Sequence, residues 1–180
     1  MNKTTLLRVF LFAFLALFSQ ILFAWNHSVE LGYGHSHDPN DTKHYNSGVL
    51  LSGDIVPLLR NDWTFWSITG SLGRWYSTAP HNKNLTSVAA SIALRFYPFL
   101  IANQYPSYFL ASFGPAYITA RQFGVNKQAE NVTIQSNLGV GVEFNYIDVN
   151  LRLSHFSNGS MSKPNNGYNV LYLLSIGYLF

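Results

Sequence analysis

The chain has 180 residues, no cysteine, 11% charged residues and 16% aromatic ones. Without cysteine there is no disulfide framework, so an exported form must hold together by its fold alone. The formal charge of +3 contains no basic run, which argues against nucleic acid as a partner. Charge at less than half the usual share of about 25%, with Phe and Tyr abundant, points to a surface that faces lipid.

Residues 1–24 read as a secretory signal peptide. Lys3 and Arg8 give a basic start, Val9 to Phe18 is unbroken apolar sequence, and Leu22-Phe-Ala24 puts a small residue before Trp25. The apolar run is too short to cross a bilayer as a helix. Loss of Lys3 and Arg8 brings the eleven basic residues close to balance with the eight acidic ones. Residues 25–180 are then expected to form one domain.

From there the periodicity is two. In Val88 to Phe96 the even positions are apolar, and Ser91 and Arg95 fall on the other face. In Ile134 to Phe144 the even side is mostly apolar, while Gln135, Asn137, Gly139, Gly141 and Glu143 make the odd side polar or small. Val149, Leu151 and Leu153 alternate against Asp148, Asn150 and Arg152. Such alternation is a strand with one apolar face.

Eight segments of this kind are expected, at about 27–35, 47–59, 63–76, 85–98, 106–118, 132–144, 147–157 and 168–180. In the second, third and fifth the parity is blurred. Each is long enough for a tilted strand to cross a membrane. Arg60-Asn-Asp62 and the Asn145 region read as tight turns, whereas 36–46, 77–84, 119–131 and 158–167 read as longer polar loops. Residues 99–105 read as a longer exception among the tight set. In the first long loop, His35, His37 and His44 stand with Asp38 and Asp41, which fits a polar loop and, less simply, a divalent-metal site. Trp63, Trp66 and Trp75 read as interfacial aromatic girdles.

Short turns on one side and long loops on the other predict an all-β fold, an eight-stranded antiparallel transmembrane barrel. In hydrocarbon a closed barrel alone leaves no strand edge unpaired. Eight strands leave room for side chains but no pore, so Gln135, Asn137, Glu143, Asp148, Asn150 and Arg152 are expected to fill the interior as a polar core. The last strand fits, because Tyr172, Leu174, Ile176, Tyr178 and the terminal Phe180 share one parity. A soluble lipocalin-like barrel would put its apolar faces inward instead.

One polar pair breaks the apolar stripe. His155 and Ser157 share the parity of Leu151 and Leu153, so they face outward. With the N-terminus in the periplasm the seventh strand rises, which sets the pair at the outer leaflet beside lipopolysaccharide. A hydroxyl, a base for its proton, an orienting group and oxyanion donors make up serine-esterase chemistry. Ser157 and His155 supply the first two. Asn158 is adjacent, and backbone N–H groups near Gly159 and Ser160 are candidate donors. The spacing also suits a solvated polar rim.

His155-Phe-Ser157-Asn158, then Pro164-Asn165-Asn166-Gly167 and a short terminal strand, resembles the outer-membrane lipid A 3-O-deacylases of the PagL type. The specific likeness covers about the last thirty residues. It implies an eight-stranded barrel that removes the 3-O-linked hydroxyacyl chain of lipid A without metal or cofactor. The partners it implies are lipid A and the surrounding outer-membrane lipids, for a monomer or a homodimer. By resemblance, Ser157 is the nucleophile, His155 the base and Asn158 an oxyanion-stabilising residue. Asn169 falls where the family carries a glutamate, and Ser160 where it has a smaller residue. An asparagine can accept the imidazole N–H but cannot stabilise an imidazolium by charge. That leaves open a slower enzyme, another acid in its place, or a non-catalytic structural or adhesive barrel. Glu143 and Asp148, read as inward, are poor substitutes. An acyltransferase that binds lipid inside the barrel is disfavoured by the outward pair.

Overall fold

The computed structural model describes residues 28–38, 41–80 and 82–180. The expected signal peptide lies outside the described residues. Eight long strands close into one antiparallel barrel: β1 (Ser28–Asp38), β2 (Asp41–Arg60), β3 (Thr64–Ser77), β4 (Asn84–Ile101), β5 (Tyr105–Ile118), β8 (Val132–Phe144), β9 (Ile147–Ser157) and β10 (Tyr168–Leu179). Two short strands, β6 (Gln122–Phe123) and β7 (Asn126–Lys127), form a small hairpin between β5 and β8. The wall closes where β1 pairs with β10, from Ser28 opposite Leu179 to Gly34 opposite Leu173.

At one end the connections are tight. Asn61 closes the β2–β3 turn by accepting from the N–H groups of Trp63 and Thr64 at 2.9 and 2.8 Å. Residues 99–105, expected as a longer connection, are also tight. Ala102 and Asn103 both take positive φ, 52° and 59°, and Gln104 N–H donates to Ile101 O at 3.2 Å. Two successive left-handed residues make a hairpin turn whose twist matches the strands, which lets pairing run to Ile101 and Tyr105.

The first long connection also differs from its expected bounds of 36–46. β1 and β2 stay paired through His37 opposite Tyr45. Backbone pairing needs no apolar parity, so polar residues carry the ladder past the apolar belt. His35 and His37 therefore project from a strand, packed on the Tyr45 ring at centroid distances of 4.7 and 6.4 Å. The side chains of Asp38 and Asp41 lie outside the described set.

The blurred parities have two causes. In β2, bulges at Asp54/Val56 and Pro57/Leu59 each add a residue and reverse the facing of the strand beyond it. Thus Asp54 is buried and Val56 exposed, although both are even-numbered. β3 and β5 are regular but apolar on both faces. Trp66 and Tyr76 point out while Phe65 and Trp75 point in. Phe109 and Phe113 point out while Tyr108 and Leu110 point in.

Trp63 and Trp66, 60% and 37% exposed, suit a girdle, but Trp75 does not. Its indole is 1% exposed, packs edge-on against Phe156 at 5.7 Å and donates to Ser87 Oγ at 2.8 Å. A Cβ on Gly48 or Gly73 would collide with this ring, so the two glycines form its slot.

The buried charges of the described interior are gathered in one half. Towards the short turns, Glu30 is paired with both Arg95 and Arg152, and Arg95 also reaches Asp54 at 2.9 Å. Tyr108 donates to Asp148 at 2.7 Å, and Tyr97 to Glu143 at 2.6 Å. Gln135 and Asn137, bonded to Ser71 and Ser112 at 2.9 Å, sit between the halves. Towards the long loops the barrel is filled by an apolar cluster that includes Trp75, Leu85, Ile118, Phe123, Phe156 and Tyr168. The expected polar core is thus capped by an apolar plug, on which the end of β9 rests.

Candidate active site

β9 climbs from the polar half to the plug with strict alternation. Asp148, Asn150, Arg152, Ser154 and Phe156 face in, and Leu151, Leu153, His155 and Ser157 face out. Phe156 is the anchor. Pressed against Trp75 inside the barrel, it holds its two neighbours outward on the wall.

His155 lies directly between Ser136 on β8 and Asn169 on β10 in the strand register. Its Nδ1 meets Asn169 Oδ1 at 2.6 Å. An amide oxygen only accepts, so Nδ1 carries the proton and donates it, and Nε2 is left with a free lone pair. Ser157, two residues on, lies on the same face at a Cα spacing of about 6.6 Å. Its hydroxyl has no hydrogen-bond partner among the described residues.

Asn169 reaches this position only because β10 is bulged. Between Val170 and Leu173 the register with β9 slips by one residue, and Tyr172 takes a positive φ of 63°. Below the bulge, Leu173, Ser175 and Gly177 face the interior. Straight alternation would send odd-numbered Asn169 inward with them. The extra residue turns it outward and directly opposite His155.

The loop 158–167 completes the surroundings. Gly167, at φ 69°, lies so close to the imidazole that a Cβ there would stand 2.7 Å from His155 Cε1. Asn158 continues the inward parity of β9 and is 2% exposed. Its Nδ2 donates to Ser162 O and Oγ at 2.8 and 3.0 Å, and its Oδ1 accepts from Ser160 N–H at 3.1 Å. Its own N–H donates to Asn165 Oδ1 at 3.3 Å. The Asn158 amide and the Ser160 N–H thus hold the loop's shape, whereas the Gly159 N–H has no partner among the described residues.

The β6–β7 hairpin braces this loop from across the barrel mouth. Asn166 N–H donates to Lys127 O at 3.0 Å, Gln128 bridges to Asn165, and Gln128 Nε2 donates to Phe156 O at 3.3 Å. Phe123 enters the plug edge-on to Tyr168 at 5.8 Å. Sequence reasoning missed the bulge, the hairpin and Ser136. The strongest available signal was Ser136 itself, the polar exception on the even side of β8. Glu143 and Asp148 are engaged at the opposite end of the β8–β9 hairpin, so neither carboxylate stands near His155.

A closed barrel with an apolar outer wall, a side-chain-filled interior and one end of tight turns defines the outer-membrane class of β-barrel proteins. Within that class, the family model described as lipid A 3-O-deacylase (PagL) matches residues 55–178. The chain belongs to this family and is a barrel of the bacterial outer membrane. Its fold is similar to that in the crystal structure of the outer membrane enzyme PagL, with a TM-score of 0.58 and 16% identity, covering 87% of this chain and 99% of that one. It is more loosely similar to the crystal structure of Ail, the attachment invasion locus protein of Yersinia pestis, with a TM-score of 0.45 and 15% identity over 86% of this chain and 98% of that one. No curated protein matches the chain in sequence.

Proposed function

We propose that this protein is a lipid A 3-O-deacylase that works as a serine esterase on the outer leaflet. The supporting observation is the hydrogen bond between His155 Nδ1 and Asn169 Oδ1, made on the outward face that Ser157 shares. A bulge spent on turning an asparagine toward a histidine, beside a wall of leucines, is costly unless the polar group is used. With short turns in the periplasm, the pair lies where acyl esters of the outer leaflet meet their sugar headgroup.

In this reading Ser157 Oγ attacks the ester carbonyl carbon as its proton passes to His155 Nε2. The carbonyl electrons move onto oxygen, and the Gly159 N–H, two residues on and without a partner among the described residues, is the candidate donor for that charge. Collapse of the tetrahedral intermediate breaks the bond to the sugar oxygen, which takes the proton from Nε2. Water then attacks the acyl-serine, giving its proton to Nε2, and the hydroxy fatty acid leaves as Ser157 regains a proton. Asn169 fixes the tautomer throughout. Asn158 and Ser160, the residues expected at the oxyanion, act in this reading by shaping the loop that presents Gly159.

Purified protein incubated with lipid A should lower its mass by one 3-hydroxyacyl group, and Ser157→Ala should abolish this while still inserting as a barrel. Full activity in Ser157→Ala would remove Ser157 as nucleophile. Unchanged lipid A mass with the wild-type protein would favour the rival reading, a non-catalytic barrel whose loops bind a partner.

A further inference from the structure

The outward face of β8 reads Val132, Ile134, Ser136, Leu138, Val140, Val142, so Ser136 is its one polar side chain. It is half-buried, and its hydroxyl has no partner among the described residues. A hydroxyl on a lipid-facing wall is expensive unless something bonds to it. The register shows what passes it. Counting down the wall, the facing pairs are Ile134 with Ser157, Ser136 with His155, and Leu138 with Leu153.

We infer that Ser136 is a specificity-determining residue that hydrogen-bonds a hydroxyl carried on the acyl chain two carbons beyond the ester carbonyl. The inference rests on the proposed esterase reading. An acyl chain whose carbonyl sits at Ser157 must run down the wall into the apolar belt. Its first carbons then cross the Ser136–His155 row before its tail reaches Leu138 and Leu153. Ser136 and Ser157 are diagonal neighbours on paired strands, about 7–8 Å apart at Cα. A serine oxygen, a carbonyl, two carbons and a hydroxyl bridge such a gap. A plain acyl chain would leave the Ser136 hydroxyl unpaired against hydrocarbon, which is how a buried polar group discriminates between substrates.

The test uses the mature protein in lipid vesicles with two esters of one glucosamine headgroup, O3-acylated with 3-hydroxytetradecanoate or with tetradecanoate. The wild-type protein should favour the hydroxylated ester in kcat/KM by roughly three- to tenfold, the worth of one neutral hydrogen bond. Ser136→Ala should bring the ratio close to one, and Ser136→Thr, which keeps a hydroxyl, should restore it. Equal rates in the wild type, or an unaltered ratio in Ser136→Ala, would overturn the assignment. Binding of the intact esters to Ser157→Ala, read by tryptophan fluorescence, should show the same preference without turnover. Preferential binding with no hydrolysis by the wild type sinks the esterase reading and leaves Ser136 standing. Hydrolysis without preference does the reverse.

Discussion

Asn169 stands where the resemblance drawn from the sequence sets a glutamate, and its hydrogen bond to His155 bears on what an amide can and cannot do there. It holds the imidazole in the tautomer that frees Nε2, but under the proposed mechanism it adds no negative charge to stabilise an imidazolium. Asn169→Glu should therefore raise kcat by about tenfold or more, measured as acyl release from lipid A. Unchanged acyl release would mean that position 169 does not limit the base. Gly167 is constrained twice, by its positive φ and by the imidazole against it. Gly167→Ala should cost about 1–2 kcal/mol in backbone strain. It should also displace His155, so that kcat falls while a gel-shift assay still reports a folded barrel.

At the scale of the element, the bulge in β10 decides whether a third residue exists at all. Deleting Tyr172 removes the extra residue, so that straight alternation from Leu173 keeps Asn169 outward and opposite His155 without a bulge. The deletion should therefore retain acyl release as well as vesicle insertion. Loss of acyl release with insertion retained would show that the bulge itself, and not only the facing it sets, is needed. The β6–β7 hairpin is the second such device, because Phe123 fills the plug while Lys127 and Gln128 hold the loop that carries Gly159. Phe123→Ala should cost about 3–5 kcal/mol as a buried aromatic truncation, read by urea unfolding in lipid vesicles.

For the whole molecule, the barrel divides its interior so that each half has a separate task. Arg95 reaches Ser28, Glu30 and Asp54 from one guanidinium, joining β1, β2 and β4 across the lumen. Arg95→Met leaves those carboxylates buried without that cation, and should destabilise the barrel by about 3–5 kcal/mol in the same urea assay. The apolar plug lies beneath the end of β9 and supports Phe156. The outer wall stays apolar down to the tight turns, which leaves the outward polar row on β8, β9 and β10 open to lipid headgroups.

How much of this was legible in the sequence depends on the range of the physics. Alternation in Val88 to Phe96, Ile134 to Phe144 and Val149 to Leu153 is a local consequence of burying one face of a strand. It determined the barrel, the outward pair His155 and Ser157, and most strand limits. Glu30, Asp54 and Arg95 meet only because the wall closes, and no spacing along the chain records that. Trp75 reads as a girdle residue because β3 is apolar on both sides, so only the glycines around its ring, one on another strand and one two residues away, show its slot. Asn169 is the sharpest case. A single inserted residue reverses the facing of a strand, and whether a bulge forms depends on register with β9, which is settled between strands and not within one.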